Sequence, residues 1–448
     1  MTQEHLSPLD ALFLELEEGD ENATLFIGAV AELNAEAPSR ADVILALLRR
    51  LDGFPYARKR VHPSWTGLQP PVWENDPDFD IEHHVFTLAL RDEDDAENTQ
   101  IWQTVADIMA APLDHSRPLW QFWLIDRPGH AASIAIVKLH HSIADGISAV
   151  HILTGLCDHG PPAHAASPAR HRQQRAVGVS SVLSGFATRL TRPVTAVQNV
   201  AAGVHGLVTN LIVPASKSTL VGPISASRRY SVAAVSLSTV GAIQRRYQVT
   251  INDIALTAIT TAFRKALIRR GNVPNARQVR VLVPVSVRSS HGDFGTNNKV
   301  SVMLPFLPVD VGDVVEQLMR VHSVMNKAKG SGQAHAGQSA TSLARFIPFQ
   351  LFARTVRIMS RFPQRSLVAV ATNVPGPRAK LEFLGREVSA VYPFVPIAVH
   401  IRTSIGILSY ADTLTFGITG DYYRMTDTAL FADDIRGAIA ELAAAASS

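Results

Sequence analysis

Apolar residues recur along the first third of the chain in patterns that predict strands and helices in turn. Residues 134–139, IAIVKL, form a nearly continuous apolar run that predicts a buried strand. Residues 120–125, WQFWLI, alternate as a partner strand does, and the intervening RPGH predicts the turn of a hairpin. Helical spacing marks residues 41–51 and the short apolar stretch 147–157. A hairpin therefore leads directly into a helix.

The second half of the chain shows the same succession of strand and helix patterns. Strands are predicted over residues 279–287, 368–372, 401–410 and 414–418. Helices are predicted over residues 254–268 and 428–445. Strands that alternate with helices in both halves predict an α/β fold with two sheets.

Chain length and a change of composition divide the sequence into three parts. A chain of 448 residues is too long for one ordinary core and predicts two domains or a two-lobed unit. Residues 161–225 predict a basic linker between an N-terminal lobe over 1–160 and a C-terminal lobe over 226–448. Within the linker, residues 193–213 predict an amphipathic helix. This helix either packs on the body of the protein or anchors it at a lipid interface.

Charge is unevenly distributed, although the net charge is only +3. Residues 159–252 contain ten Lys or Arg and no Asp or Glu, which leaves −7 for the rest of the chain. Such a block attracts anions, either the phosphates of coenzyme A or anionic lipid head groups. The alternative is a solvated linker whose charges balance the acidic lobes. Nucleic acid is disfavoured because aromatic residues are scarce in the block.

Cysteine content and hydropathy indicate where the protein works. Cys157 is the single cysteine, which excludes an intramolecular disulfide and predicts a reducing, cytoplasmic setting. The first residues lack a secretory signal pattern, and no stretch of about 20 residues is apolar enough to span a bilayer. Any association with the inner membrane or with lipid droplets is therefore expected to be peripheral.

The strongest candidate for chemistry is the segment 140–146, HHSIADG, where the predicted strand turns into the predicted helix. Turns at strand ends commonly carry catalytic side chains. A histidine there can act as a general base because its usual pKa is about 6.5, and Gly146 allows close approach of substrate or backbone. On spacing alone, two packed histidines and an aspartate that caps the helix fit equally well.

Together with seven other segments, this motif resembles the bacterial wax ester synthase/diacylglycerol acyltransferase family, within the HHxxxDG acyltransferase superfamily. The likeness runs in family order to about residue 424 and is nearest to mycobacterial-type triacylglycerol synthases. The segments are LSPLDA at 6–11, DFD at 78–80, PLDHSRPLW at 112–120, HHSIADG at 140–146, ND at 252–253, PVSVR at 284–288, NVPGP at 373–377 and SYAD at 409–412.

The resemblance implies a two-lobed fold like that of chloramphenicol acetyltransferase and condensation domains, with a sheet flanked by helices in each lobe and a tunnel between them. It implies an acyl-CoA-dependent O-acyltransferase that converts diacylglycerol to triacylglycerol by direct transfer in a ternary complex. The alternatives are a wax ester synthase acting on long-chain fatty alcohols and a condensation-type enzyme using a carrier-protein thioester. From a different class, a non-catalytic lipid-binding protein of the same fold is also considered.

The expected partners are acyl-CoA, diacylglycerol or a fatty alcohol, and an anionic membrane or lipid-droplet surface. No cofactor is expected, because acyl-CoA is a substrate. No metal is expected either, since adjacent histidines on a strand point apart and the HExxH spacing is absent. The absence of a G-x-S-x-G elbow agrees with direct transfer, which needs no serine nucleophile.

The family motif also implies roles for individual residues. His141 is expected to be the general base, with His140 in support and Gly146 beside the reacting groups. Asp145 is expected to organise the turn, with Arg288 as its partner.

Asn252 and Asp253 open the predicted helix 254–268, and helix capping alone would explain them. The resemblance favours Asn252 as a donor to the oxyanion, and both roles can hold at once. Asp253, Arg288 and Asn373 are expected at the substrate site. The segment NVPGP that begins at Asn373 is expected to be a rigid loop that shapes the tunnel.

Overall fold

The computed structural model describes the protein over residues 4–54, 56–64, 69–90, 99–158, 219–286, 300–330, 353–354, 357 and 367–447. The described helices are α1 (Pro8–Gly19), α2 (Arg40–Arg50), α3 (Thr99–Ala110), α4 (Gly146–Leu156), α5 (Leu237–Tyr247), α6 (Ile251–Arg269), α7 (Val314–Gly330) and α8 (Thr428–Ser447). The described strands are β1 (Glu4–His5), β2 (Phe26–Leu33), β3 (Lys59–His62), β4 (Val72–Asn75), β5 (Val85–Ala89), β6 (Trp120–Asp126), β7 (Ser133–His140), β8 (Arg228–Ser236), β9 (Val281–Ser286), β10 (Val300–Met303), β11 (Ala369–Pro375), β12 (Glu382–Phe383), β13 (Arg386–Phe394), β14 (Thr403–Tyr410) and β15 (Thr413–Asp421).

The six-stranded sheet that contains β7 is called the first-lobe sheet, and its strand order is β12-β13-β2-β7-β6-β5. Strand β7 is antiparallel to β2 on one side and to β6 on the other. Helix α3 covers one face, where Lys138 donates hydrogen bonds to the main-chain oxygens of Ile108 and Ala111. Helix α4 packs on the other face. Because both faces are covered, every residue of β7 is buried, which explains its nearly continuous apolar sequence.

The second six-stranded sheet, called the second-lobe sheet, has the strand order β10-β9-β11-β14-β15-β8. Strand β11 is parallel to β9 and β14, and the remaining pairs are antiparallel. Helices α6 and α8 pack together in this lobe, with Phe263 and Phe431 in edge-to-face contact at 4.9 Å. The second lobe therefore has a hydrophobic core of its own.

Strands β12 and β13 belong to the first-lobe sheet, although they follow most of the second lobe in sequence. Strand β13 pairs with β2, from Val388 opposite Leu33 to Phe394 opposite Gly28. The buried Tyr410 hydroxyl, at the end of β14, donates to the Val388 carbonyl at 2.8 Å and so ties this crossover to the second lobe. The range 226–448, predicted as a C-terminal lobe, thus also contributes strands to the first lobe.

The predicted α/β architecture with two large sheets is confirmed, and the central elements agree closely with their predicted bounds. The strand predicted over 134–139 is β7, and the helix predicted over 147–157 is α4. One difference concerns the predicted rigid loop that begins at Asn373. Strand β11 extends through Pro375, so the first half of this segment is strand. Pro375 is the last residue of β11, and it has no N–H group with which to continue the ladder.

Some predicted features lie outside the described residues: the helix over 193–213, six of the ten positive charges of the block 159–252, and Arg288. Among the described charges of that block, Arg228 is only 1% exposed. Its guanidinium donates to main-chain oxygens of Asn22 in the first lobe and of Ser225 and Ser227 in the second. Arg228 therefore joins the two lobes and is not available to attract anions, contrary to the expectation for the block.

Candidate active site

The two adjacent histidines lie at the end of β7, where the strand leaves the first-lobe sheet. His140 is opposite Phe26 in the ladder with β2, and the His141 N–H continues that ladder by donating to the Leu25 carbonyl at 2.9 Å. Successive residues of an extended strand point to opposite faces. The two rings consequently have different surroundings, which give them different chemistry.

The His140 ring is fully buried and held at both nitrogens. Its Nδ1 accepts the Ser142 N–H at 3.0 Å, which places the ring proton on Nε2, 3.2 Å from the Glu17 carboxylate. Glu17 also accepts the Leu25 N–H and lies 3.5 Å from His115. Burial alone would raise the pKa of Glu17, but its hydrogen bonds with His115 and His140 lower it to about 2. His140 is thus an anchored ring beside a carboxylate.

The His141 ring stacks on Phe13 of α1, with ring centroids 4.1 Å apart and planes inclined by 18°. Neighbouring groups enclose most of the ring, although part of it remains accessible. Burial lowers the pKa of His141 to about 4, outweighing a hydrogen bond from the ring to its own main chain, which raises it. The ring is therefore neutral at pH 7, as a general base must be before it accepts a proton.

Helix α1 contributes three side chains to this site, and the sequence did not assign a function to any of them. Asp10, Phe13 and Glu17 follow one another at spacings of three and four, so they share one face of the helix. Phe13 and Glu17 contact the histidine pair, while burial, together with the nearby charge of Asp145, raises the pKa of Asp10 to about 6. In the sequence, this role could have been indicated by the pattern of an acid, an aromatic residue and a second acid on one helix face, directly after the capping residue Ser7.

Asp145 and Gly146 form the junction between the histidine turn and α4. Asp145 is the N-cap of α4, and its carboxylate accepts the Ser148 N–H at 2.7 Å. A Cβ at Gly146 would lie 2.9 Å from a methyl of Val374, which belongs to β11 of the second lobe. A side chain at this position would force Val374 to shift, so glycine suits the close approach of the turn to the second lobe. The pairing of Asp145 with Arg288 stays a prediction, since Arg288 is outside the described residues.

Replacing Asp145 with alanine is expected to lower the free energy of unfolding by about 1 kcal/mol, because the cap of α4 is lost. Asp145→Asn should have a smaller effect, since an asparagine oxygen can accept the same N–H. Urea unfolding of both variants checks this. Equal losses for the two variants would mean that the negative charge, not the cap, is what the fold needs.

Asn252 and Asp253 lie in the first turn of α6, at the second-lobe side of the site. Thr250 and Asp253 form a capping box, in which Asp253 accepts the Thr250 N–H at 2.9 Å. The same carboxylate oxygen lies 2.9 Å from Nδ1 of His322 on α7, and Asp253 is 2% exposed. These contacts favour a structural role for Asp253, which was predicted at the substrate site.

Asn373 is brought to Asn252 from the end of β11. Its amide nitrogen donates to the Asn252 side-chain oxygen at 3.4 Å. With that oxygen engaged, the Asn252 amide N–H group is oriented to donate elsewhere. Asn373 also precedes Val374, the residue that meets Gly146. A chain of contacts therefore connects the histidine turn of the first lobe to the asparagine pair of the second.

The described part of the chain contains no group of three His, Cys, Asp or Glu side chains arranged to hold a metal ion. The site offers a neutral imidazole at His141, an amide group at Asn252 in the first turn of a helix, and a turn at Gly146 that meets the second lobe. These groups suit proton abstraction from an alcohol and stabilisation of an oxyanion.

Family models match most of the chain. The wax ester synthase/diacylglycerol acyltransferase catalytic domain matches residues 6–255, and the WS/DGAT C-terminal domain matches residues 296–443. The chain is 40% identical over 447 residues to a Mycobacterium tuberculosis protein named probable diacylglycerol O-acyltransferase tgs1. The match covers 98% of this chain and 96% of that protein.

Solved structures share the fold. The wax ester synthase/diacylglycerol acyltransferase from Marinobacter aquaeolei VT8 has a TM-score of 0.67 at 23% identity, covering 99% of this chain and 100% of that chain. Trichothecene 15-O-acetyltransferase from Fusarium sporotrichioides has a TM-score of 0.65 at 13% identity, covering 98% and 95%. The starter condensation domain of rhizomide synthetase has a TM-score of 0.59 at 15% identity, covering 100% and 95%. The predicted two-lobed fold is confirmed, and by its family matches the chain belongs to the wax ester synthase/diacylglycerol acyltransferase family.

Proposed function

We propose that the protein transfers a long-chain acyl group from acyl-CoA to diacylglycerol, giving triacylglycerol. The observation that carries the proposal is the meeting of the two lobes at the histidine turn, with His141 on one side and Asn252 with Asn373 on the other. The mycobacterial relative at 40% identity is named for the same activity.

In the proposed reaction, His141 takes the proton of the acceptor hydroxyl as that oxygen attacks the thioester carbonyl. Asn252 donates a hydrogen bond to the oxyanion of the tetrahedral intermediate, aided by its place at the N-terminus of α6. The intermediate collapses with loss of the coenzyme A thiolate, which receives the proton from His141. No acyl-enzyme is needed. Cys157 is unsuited to form one, because burial raises the pKa of its thiol to about 12.

The acid limb of the pH profile of kcat/KM is expected near pH 4. A general base must be neutral, so activity is lost only as the pH falls through the His141 pKa, which burial lowers to about 4. Initial rates at subsaturating acyl-CoA between about pH 4 and pH 8 test this, with circular dichroism to confirm that the protein stays folded. An acid limb near the usual histidine value of about 6.5 would contradict the assigned environment of His141.

The proposed activity is tested with purified protein, labelled palmitoyl-CoA, and diacylglycerol and hexadecanol in competition. We expect most of the label in triacylglycerol, and at least about 10²-fold less product from a His141→Ala control. Label mainly in hexadecyl palmitate would identify a wax ester synthase, which is the nearest alternative. Transfer only from a carrier-protein thioester would indicate a condensation-type enzyme. Binding of acyl-CoA without turnover to any acceptor would indicate a lipid-binding protein.

We also infer that the protein docks peripherally on an anionic membrane or lipid-droplet surface, where its acceptor and product reside. The inference rests on the block 159–252, which contains nine positive charges besides the buried Arg228 and no negative one. None of the helices in the described ranges is long and apolar enough to cross a membrane. Each Lys or Arg near an anionic surface contributes about 1 kcal/mol, so a few of them give weak, reversible binding.

Binding to anionic vesicles is expected to weaken as salt rises, since exposed charges are screened within about 8 Å at physiological ionic strength. Changing five arginines of the block to glutamine should reduce vesicle binding in sedimentation while sparing turnover of short-chain, water-soluble substrates. These residues are Arg170, Arg172, Arg175, Arg189 and Arg192. A variant that binds vesicles as the parent does would show that the block is only a linker.

A further inference from the structure

Helix α1 lies against the histidine turn and contacts both of its rings. Phe13 stacks on the His141 ring. Glu17 follows four residues later on the same face of α1, and its carboxylate lies 3.2 Å from Nε2 of His140. Glu17 also accepts the N–H of Leu25, whose carbonyl accepts the His141 N–H. One helix therefore supports the His141 ring directly and the His141 main chain through Leu25.

The His141 ring needs support to keep one orientation. The torsion that turns an imidazole about its Cβ–Cγ bond has broad energy minima, so the bond alone does not fix the plane of the ring. A hydrogen bond from the ring to the main chain of the same residue restrains it. Only Nδ1 is near enough to that main chain to make the bond, so Nε2 is left as the basic nitrogen. The ring can take a proton from an acceptor only while this orientation is kept.

The stacked Phe13 ring supplies a second restraint. The two ring centroids are 4.1 Å apart and the planes are inclined by 18°, so the two faces are in contact. Turning the imidazole about its Cβ–Cγ bond would drive one edge of it into the Phe13 ring. Stacking covers a face of the imidazole and leaves its edge, where the nitrogens lie, uncovered. The contact therefore restrains the His141 ring without blocking its basic nitrogen.

Helix α1 is itself held in place by polar contacts. At its N-terminus, Ser7 accepts the Asp10 N–H at 3.1 Å. On the side of the helix away from the histidines, the Arg357 guanidinium forms ion pairs with Glu15 and Glu18. The side chain that stacks on the imidazole is thus carried by a fixed helix.

We propose that Phe13 is a positioning residue for acyl transfer, whose ring holds the His141 imidazole in the orientation that directs Nε2 at the acceptor hydroxyl. The proposal rests on the proposed function. A displacement of about 1 Å from the productive geometry can cost about 10²-fold in rate, so a soft torsion at the base makes a rigid neighbour important. An aliphatic side chain of similar size would fill the same space but would present no flat face to the imidazole.

The same aromatic ring keeps water from one face of His141. Burial is the main cause that lowers the pKa of His141 to about 4. The titratable neighbours of this ring on its own segment are His140 and Asp145, and those on the facing side of α1 are Asp10 and Glu17. None of these four is altered by a substitution of the stacked phenylalanine. A shift in the His141 pKa would therefore report the loss of the ring that covers it.

The kinetic test compares Phe13→Leu and Phe13→Tyr with the parent in transfer from palmitoyl-CoA to diacylglycerol. Phe13→Leu should lower kcat by about 10- to 10²-fold and leave both KM values unchanged, because the base is present but poorly oriented. Phe13→Tyr keeps the flat ring and should keep a kcat close to that of the parent. A folded Phe13→Leu variant with the parental kcat would overturn the proposal, whether or not KM changes.

Phe79→Leu is the matched control for Phe13→Leu. Phe79 also stacks on a histidine, His84, with centroids 5.4 Å apart and planes inclined by 23°, but His84 is not part of the histidine turn. The same substitution there should retain the parental kcat. An equal loss of kcat in both variants would show a general effect on the fold and would overturn the positioning role.

The orientation of the ring can also be measured without turnover, by proton NMR. The His141 ring signals are assigned by their absence in His141→Ala. They should move downfield in Phe13→Leu and stay in place in Phe13→Tyr, because protons over an aromatic face are shielded. Phe13→Ala uncovers the imidazole, so the His141 pKa should rise from about 4 towards the usual value of about 6.5.

These two kinds of measurement separate the inference from the proposed function. If the parent transfers no acyl group but the NMR signals shift as expected, the proposed function fails and the restraint of the His141 ring by Phe13 stands. If turnover is present while neither kcat nor the signals change in Phe13→Leu, the positioning role alone fails. Phe13→Met, which likewise lacks a flat ring, takes the place of Phe13→Leu if that variant does not fold.

Discussion

His141→Ala is expected to lower kcat/KM for transfer from palmitoyl-CoA to diacylglycerol by about 10²- to 10⁴-fold, the usual effect of losing a general base. The fold should survive, because the His141 ring is partly accessible and its main-chain hydrogen bond to Leu25 does not depend on the side chain. Steady-state kinetics together with a thermal unfolding midpoint close to that of the parent check this result.

His140→Ala and His83→Ala are the matched controls for His141→Ala. Removing the His140 ring leaves the buried Glu17 carboxylate short of a donor, which should destabilise the protein by about 1–3 kcal/mol while the folded fraction keeps more activity. His83 and His84 form a second pair of adjacent histidines in the sequence. His83 is exposed, so His83→Ala should change neither property. Comparable small losses of activity for His140→Ala and His141→Ala would remove the assignment of His141 as the base.

Asn252→Ala is expected to lower kcat by about 10²- to 10³-fold, which is typical for the loss of one oxyanion donor. The KM values should change little, because the oxyanion exists only in the transition state. The Thr250–Asp253 capping box does not include Asn252, so helix α6 should stay formed. Kinetics with both substrates varied separate kcat from KM.

Two further variants, Asn373→Ala and Asp253→Asn, test whether Asn252 itself donates to the oxyanion while Asn373 and Asp253 only support the site. Asn373 orients the Asn252 amide, so its loss should lower kcat less than loss of Asn252 does. Asp253→Asn weakens the cap and the contact with His322, so it should lower the unfolding midpoint together with activity. If Asn252→Ala raised KM and left kcat unchanged, Asn252 would be a ground-state binding residue.

The elements around the histidine turn could be predicted because local sequence determines them. Strand β7 has a nearly continuous apolar run, α6 is preceded by a capping residue, and Ala411 lies at the tight turn between β14 and β15. The roles assigned to the HHSIADG motif came from resemblance, since capping by Asp145 fits the spacing equally well. The distance between Gly146 and Val374 now explains the glycine, which spacing alone could not.

The contribution of α1 and the crossover of β13 could not be predicted, because both depend on contacts between distant parts of the chain. Phe13 and Glu17 occupy a helix face whose partners, His141 and His140, come more than 120 residues later in the sequence. Similarly, nothing in the sequence around Val388 indicates that its partner is Leu33. The pairing expected between Asp145 and Arg288 stays a prediction.

The pairing of β13 with β2 has a consequence for the order in which the protein can fold. During synthesis the N-terminal strands emerge first, and β2 then has an open edge of unpaired N–H and C=O groups until residues 386–394 are made. A fragment ending at the linker is therefore expected to aggregate, and the intact chain to fold slowly because a central ladder joins its two ends. The first-lobe sheet therefore stays incomplete until residue 394 has been made, although its four N-terminal strands are finished by residue 140.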